Sequence, residues 1–155
     1  MRLGNLNDRA VIVLGNRAID IGKHSHGQFS SDPLALLAEW APLRAWASGL
    51  AEEDGAPFDW QRLGPPVPRP SQVFGIGLNY RDHALEAGLG LPDDPVVFTK
   101  FPSCVTGPEV QVDLPSSAVD WEVELVVVVS TAGHLIAAAE AWEHVAGFMV
   151  GQDLS

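Results

Sequence analysis

The sequence predicts a mainly β protein of the α+β class, in which a small N-terminal domain precedes a β-sandwich or barrel-like domain. Three observations support this: several short strand candidates in the second half, few helical patterns among them, and a proline-rich stretch, Leu63–Gln72, before them. Strands separated by turns are typical of a sandwich or barrel, whereas alternating strands and helices are typical of a parallel sheet. We therefore expect one domain over residues 1–70 and a second over residues 71–155.

Composition and charge exclude several classes of protein. The 155 residues are 46% apolar, as in proteins with a packed core, and no apolar run reaches the roughly 20 residues of a membrane span. The formal net charge of −11 argues against nucleic acid and anionic membrane surfaces as partners. The single cysteine, Cys104, excludes an internal disulfide, and the N-terminus lacks the apolar core of a signal peptide. We therefore expect a cytoplasmic protein.

The first half of the chain contains one predicted hairpin and one predicted helix. The segment "AVIVLGNRAIDI", residues 10–21, has two apolar runs around Gly15 and Asn16, a pair that suits a tight hairpin turn. The segment "SDPLALLAEWA" has apolar residues at helical spacing, and Asp32 can cap it. Pro42 is expected to end or kink this helix.

Five strand candidates and one helix candidate lie in the second half. The strand candidates are "QVFGIG" (72–77), "PVVFTK" (95–100), "EVQVDLP" (109–115), "WEVELVVVV" (121–129) and "GFMVGQDL" (147–154). They are short and rich in β-branched and aromatic residues, which favour strands. Between the last two, "AAAEAWEHVAG" is predicted to form a helix that Gly147 ends.

Acidic residues alternate along the start of the fourth strand candidate. Asp120, Glu122 and Glu124 occupy every second position, so their side chains point to one face. The same face continues through Val126 and Val128, which places the acids at the rim of an apolar interior. Buried like charges resist ionisation unless a cation lies between them, and oxygen ligands suit Mg²⁺, Mn²⁺ or Ca²⁺. This segment supports a metal site and a solvated strand face equally.

Two further segments contain candidate site residues. In "GIGLNYRDHALEAG", His83 and Glu86 lie on one predicted helical face, where a carboxylate raises the basicity of an imidazole. The alternative for this pair is a surface ion pair. The paired glycines before it do not complete a dinucleotide fingerprint, because Tyr80 occupies the third glycine position. Asp153 follows an apolar strand, where an aspartate is commonly a turn or cap residue.

Taken in order, "GLNYRDHALEAG", "VVFTKFPS", "DWEVELVVVV" and "VAGFMVGQDLS" resemble the fumarylacetoacetate hydrolase family, from Val73 to Ser155. The resemblance implies a mixed β-sandwich roll, preceded by the small leading domain of many bacterial members. It also implies a bound divalent metal, Mg²⁺ or alternatively Mn²⁺ or Ca²⁺. The site residues that it implies are the metal ligands Glu122, Glu124 and Asp153, the catalytic pair His83 and Glu86, and the substrate-binding residues Tyr80 and Lys100.

The activity implied by the resemblance is hydrolysis of a carbon–carbon bond in a 2-oxo acid or 1,3-diketone, of the acylpyruvate or fumarylacetoacetate type. Glu86 would orient His83, which would take a proton from water. The alternative within the family is a decarboxylase or isomerase of unsaturated 2-oxo dicarboxylates in aromatic catabolism. Such enzymes are expected to be homodimers at full length.

The sequence stops at Ser155, where members of the family continue with further strands. We therefore expect an incomplete sandwich roll with open strand edges. A chain of this kind is expected to be unstable alone, or to need a partner that supplies the remaining strands. A non-catalytic fragment that folds only by association is accordingly the third functional hypothesis.

Overall fold

The computed structural model describes residues 1–155, which form three separate antiparallel sheets and a small amount of helix. The strands are β1 (Leu3–Leu6), β2 (Arg9–Leu14), β3 (Arg17–Asp20), β4 (Ala56–Pro57), β5 (Leu63–Gly64), β6 (Val73–Gly77), β7 (Val96–Lys100), β8 (Trp121–Val129) and β9 (Val145–Leu154). The α-helices are α1 (Ile21–His24), α2 (Trp40–Ala47) and α3 (Arg81–Glu86), and 3₁₀ turns cover Ala35–Glu39, Glu52–Asp54, Trp60–Arg62, Pro102–Cys104 and Ala138–His144. None of the helices has the length and apolar character needed to cross a membrane.

The first sheet has the strand order β4-β3-β2-β1-β5. The predicted hairpin of residues 10–21 is present as β2 and β3, and Gly15 at its turn has a φ of +52°, which glycine adopts without strain. A second tight turn, at Asn7 and Asp8, joins β1 to β2, with φ of 53° and 61°. Both residue types tolerate this left-handed conformation. The sequence of β1, "LGNL", has glycine and asparagine at its centre and gives no strand signal, so pairing with its neighbours decides its conformation.

The main core lies between this sheet and the helical segments that follow it. Ile12 and Ile19 are cross-strand partners and are almost fully buried, as are Leu36 and Leu43 from the helical region. The complete core cluster is Ala10, Ile12, Ile19, Ile21, Phe29, Leu36, Leu43 and Ala47. Alternate residues of each strand therefore supply the apolar face that the helices cover.

The predicted helix of residues 31–41 differs from the observed structure. A 3₁₀ turn occupies Ala35–Glu39, α2 then begins at Trp40, and Pro42 lies within its first turn instead of ending it. A proline is accepted there because the first N–H groups of a helix have no intrahelical partner. Asp32 does act locally as a cap, since its Oδ1 accepts a hydrogen bond from Leu34 N at 3.0 Å.

Two element predictions for the second half are wrong. Residues 109–115 form no strand, because no neighbouring strand pairs with their backbone. The predicted helix before β9 is only the 3₁₀ turn Ala138–His144, which buries no residue. A short segment without a buried face lacks the tertiary packing that stabilises most α-helices. Gly147 lies inside β9 and ends no helix.

The remaining strands form two hairpin sheets, β6–β7 and β8–β9. Along β8, half-buried and exposed residues alternate strictly, and the exposed face consists of Trp121, Val123, Leu125, Val127 and Val129. Phe148, Val150 and Leu154 of β9 extend this exposed apolar surface. The strand β5 pairs with β1, so the first residues of the proline-rich stretch belong to the N-terminal sheet. The division of the chain near residue 70 stays a prediction.

Candidate metal and catalytic site

Two of the three predicted metal ligands face each other across the β8–β9 ladder. Glu122 is the cross-strand partner of Asp153, and Glu124 lies opposite Gly151. All three acids are on the half-buried face of the hairpin, where directly opposite side chains have Cβ atoms about 4.5–5.5 Å apart. The structure therefore brings the three predicted ligands onto one face, although they come from strands separated by a long connection.

Protein groups already contact two of these carboxylates. Lys100 Nζ donates a hydrogen bond to Asp153 Oδ1 at 2.7 Å, and the two side chains are 30% and 22% exposed. Ser155 Oγ donates to Glu122 Oε1 at 2.9 Å. The sequence indicated neither contact, because each joins residues more than 30 positions apart, as their separations of 53 and 33 show.

Asp120, the first of the three alternating acids, lies outside this arrangement. It is exposed, and its Oδ1 accepts a hydrogen bond from Trp121 N at 2.8 Å. Its backbone exchanges hydrogen bonds with Ser155 at 2.7 and 3.3 Å, which continues the ladder beyond the ends of β8 and β9. Asp120 therefore lies at the end of the β8–β9 ladder, and its carboxylate is hydrogen-bonded to the backbone of the next residue.

The donor set fits a hard divalent cation by its chemistry and its backbone placement. Three carboxylates on one half-buried face supply the oxygen atoms that Mg²⁺, Mn²⁺ and Ca²⁺ prefer. The side chains themselves do not converge: no group of three or more His, Cys, Asp or Glu side chains is arranged to hold a metal ion. The ligand assignment therefore stays a prediction.

The predicted catalytic pair lies on α3, in the connection between β6 and β7. His83 and Glu86 are both exposed and make no hydrogen bond to each other, while Ala84 between them is fully buried and seats the helix. Tyr80 immediately precedes the helix and is 48% exposed. The structure therefore places both residues on one short helix of six residues. No hydrogen bond connects either of them to the carboxylates.

None of the predicted site residues lines either of two surface cavities, which have volumes of about 330 and 350 Å³. The first lies between β1, β5 and the proline-rich stretch, with Arg62 and Arg69 at its wall. The second lies beside the start of α3, at Asn79 and Arg81.

Comparison with known proteins decides the family. Residues 72–155 match the family described as "Fumarylacetoacetate (FAA) hydrolase C-terminal". The chain belongs to the fumarylacetoacetate hydrolase family. The matched segment contains every predicted site residue and both hairpins, β6–β7 and β8–β9.

Relatives and solved structures agree with this membership. The human mitochondrial oxaloacetate tautomerase FAHD2A is 48% identical over 92 residues, which are 58% of this chain and 29% of the relative. A crystal structure of a candidate HpcE protein from Mycobacterium smegmatis has 48% identity and a TM-score of 0.86, over 100% of this chain and 55% of that one.

A more distant structure shows the same fold. Maleylpyruvate hydrolase from Sphingobium sp. SYK-6, solved with manganese(II) and pyruvate, has 23% identity and a TM-score of 0.77, over 99% of this chain and 58% of that one. The predicted fold class, mainly β with the architecture of this family, is confirmed by these likenesses. The chain spans between 29% and 58% of the length of these proteins.

Proposed function

We propose that this chain provides the metal-binding and water-activating part of an enzyme that hydrolyses a carbon–carbon bond in a 2-oxo acid or 1,3-diketone. One observation supports the proposal above all others. The register of β8 and β9 sets Glu122 opposite Asp153, with Glu124 on the same half-buried face, inside the segment that matches the family. Adjacent carboxylates in that position are costly unless a cation neutralises them.

The proposed metal ligands are Glu122, Glu124 and Asp153, and the proposed ion is Mg²⁺ or alternatively Mn²⁺ or Ca²⁺. When bound, a divalent cation supplies Lewis-acid polarisation of a substrate carbonyl oxygen. In a protein of the same fold, maleylpyruvate hydrolase, manganese(II) and pyruvate are bound together. A 2-oxo acid is accordingly the small-molecule partner that we propose here.

The proposed role of His83 and Glu86 is to activate water. Glu86 would accept a hydrogen bond from one ring nitrogen of His83, which leaves the other nitrogen free to take a proton from water. The water oxygen then bonds to the substrate carbonyl carbon, the bond from that carbon to its neighbouring carbon breaks, and the proton returns to the departing carbon. The exposed position of both side chains on a short helix fits an element that closes over bound substrate.

Tyr80 and Lys100 are the proposed substrate-binding residues. Tyr80 precedes α3 and has an exposed phenol that can donate a hydrogen bond to a substrate oxygen. Lys100 lies at the end of β7 beside the carboxylate face, where its positive charge would attract an anionic substrate.

A second candidate function is isomerisation or decarboxylation on the same residues. The observation that favours it is the 48% identity to a protein named as an oxaloacetate tautomerase. In an isomerisation, His83 would move a proton from one substrate atom to another. In a decarboxylation, the bond to the carboxylate carbon would break, CO₂ would leave, and the carbon left behind would take up a proton. Neither reaction adds water. Analysis of the products formed from an acylpyruvate and from an unsaturated 2-oxo dicarboxylate distinguishes the two reactions.

The first test is calorimetric titration of Mg²⁺ and Mn²⁺ into the 155-residue chain and into Glu122→Ala/Glu124→Ala. We expect saturable binding that the double variant abolishes. The matched control is Glu109→Ala/Glu140→Ala, which removes two exposed acids elsewhere in the chain and is expected to bind as the unaltered chain does. Equal binding by both double variants would contradict the proposed ligands.

The assembly of a full-length form is proposed to be a homodimer. The third hypothesis, a non-catalytic chain that depends on a partner, is supported by the exposed apolar face of β8–β9. Metal binding without turnover of either substrate class, in the chain as it stands, would favour that hypothesis over both enzymatic ones.

A further inference from the structure

Lys100 and Asp153 form a contact that joins two parts of the molecule. The hairpins β6–β7 and β8–β9 are separate sheets, and the hydrogen bond from Lys100 Nζ to Asp153 Oδ1 is the only one that connects them. The helix α3, with His83 and Glu86, lies in the connection between the two strands of the first hairpin, and the second hairpin bears the carboxylates. The two groups of predicted site residues are therefore linked through one ion pair.

The geometry of this ion pair leaves part of Asp153 free. Lys100 contacts Oδ1 at 2.7 Å, whereas Oδ2 accepts no hydrogen bond. An ammonium group held on one oxygen fixes the rotation of the carboxylate and leaves the second oxygen to bind a cation. Lys100 makes a second contact that restrains it: its Nζ lies 5.3 Å from the centre of the Phe98 ring, within the range of a cation–π contact.

The charge balance of the site also favours Lys100 as a permanent neighbour of the metal ligands. Three ionised carboxylates exceed the charge of a dication by one, and the ammonium of Lys100 restores neutrality. An anionic substrate would otherwise approach a site with excess negative charge, in a chain whose formal net charge is already −11.

We propose that Lys100 is a positioning residue that orients Asp153 for metal binding and couples the β6–β7 hairpin, with α3, to the metal-binding hairpin. This inference rests on the proposed function, since it assigns Asp153 to the metal. It differs from a purely substrate-binding role, because it requires Lys100 before any substrate is present.

The test compares Mn²⁺ affinity, measured by calorimetry, in the unaltered chain and in Lys100→Met, Lys100→Arg and Lys23→Met. Groups that orient metal ligands typically contribute about 10- to 100-fold to affinity, so we expect a loss of this size in Lys100→Met. Lys100→Arg retains the charge and the donor and is expected to recover most of the affinity. Lys23→Met alters the other lysine of the chain and is expected to have no effect.

A second readout locates the ion without reference to activity. Lysine labelled with ¹³C at Cε gives one resonance for Lys100 and one for Lys23. Paramagnetic Mn²⁺ bound beside Asp153 is expected to broaden the Lys100 resonance selectively, while diamagnetic Mg²⁺ leaves it sharp and close to its original position. Binding of Mn²⁺ that leaves the Lys100 resonance sharp would overturn the proposal.

The outcomes separate this inference from the proposed function. If the unaltered chain binds no Mn²⁺, both fail together. If it binds Mn²⁺ and Lys100→Met binds equally well or more tightly, the positioning role is overturned while the carboxylate site stands. Circular dichroism of each variant checks that a lost affinity does not reflect a lost fold.

Discussion

Asp20 has two roles at the junction of β3 and α1. It accepts hydrogen bonds from Arg9 Nε at 2.6 Å and Arg9 Nη2 at 2.9 Å, and it caps α1 through Lys23 N at 3.0 Å. The side-chain hydrogen bond from Arg9 is the main reason that the pKa of Asp20 lies below its ordinary value. The unfolded chain therefore binds this proton more readily than the folded chain does.

The pH dependence of this contribution has a definite sign. Because the folded-state pKa of Asp20 is lowered, the stabilisation is present above the ordinary aspartate pKa of about 3.9 and is lost as pH falls through the folded-state value. We expect Asp20→Asn, which keeps a capping side chain, to lower the urea midpoint at about pH 7 but not at about pH 2. Urea denaturation at both values measures this, and an equal deficit at both would contradict it.

His83 is the residue on which the proposed water activation depends most directly. A general base typically contributes about 10²- to 10⁴-fold, so His83→Ala is expected to lower kcat by this amount. Mn²⁺ affinity should stay unchanged, because the side chains that hydrogen-bond the carboxylates are Lys100 and Ser155 and not His83. Steady-state kinetics with an acylpyruvate, together with calorimetry, tests both statements. A parallel loss of metal binding would mean that His83 acts structurally.

At the scale of elements, the helical segment that covers the first sheet illustrates how packing overrides local preference. Leu36 lies in a 3₁₀ turn and Leu43 in α2, yet both are fully buried against the same strands. The burial of these two leucines holds the segment against the sheet, although the segment changes from a 3₁₀ turn to an α-helix at Trp40. The apolar spacing in the sequence therefore predicted the buried face better than it predicted the helix boundaries.

This packing determines how much the shortening of a buried side chain lowers the free energy of unfolding. Leu43→Ala is expected to lower the free energy of unfolding by about 2–5 kcal/mol, because it removes buried methyl groups and leaves a cavity. Leu85→Ala, at a side chain that is 66% exposed on α3, is expected to change it by about 0.5 kcal/mol or less. Chemical denaturation monitored by tryptophan fluorescence measures both, and equal effects would contradict the assigned core.

At the scale of the whole molecule, the two halves of the chain are packed very differently. The main core cluster lies entirely in the N-terminal half, whereas the outer face of β8–β9 exposes a continuous row of apolar side chains. Exposed apolar surfaces of this kind mark interaction sites or regions prone to aggregation.

The exposed face is expected to make the isolated chain bind hydrophobic dyes and associate. Val123→Thr/Leu125→Thr/Val127→Thr should reduce bis-ANS fluorescence and association, since threonine keeps the strand preference and removes apolar surface. The matched control is Val110→Thr/Val112→Thr/Leu114→Thr, which changes three exposed residues that belong to no sheet. Light scattering and dye fluorescence measure the effect, and equal reductions in both triple variants would contradict it.

Local patterns determined a large part of this protein. Short apolar runs rich in β-branched residues predicted β2, β3 and β6 to β9, and alternation along β8 set Glu122, Glu124, Val126 and Val128 on one face, as observed. A side-chain period of two is a property of the strand itself, so the sequence suffices to establish it. The same kind of composition misled over 109–115, which resembles a strand in sequence but has no partner strand.

Only the tertiary structure decided which residues that are distant in the sequence contact each other. The pairing of Glu122 with Asp153 follows from the register of β8 and β9, and the bond from Lys100 to Asp153 joins residues 53 positions apart. Register and ion pairing depend on how two segments meet in space, and no local spacing encodes that meeting. The sequence by itself therefore determined which residues could form the site, and only the folded chain determined which of them are neighbours.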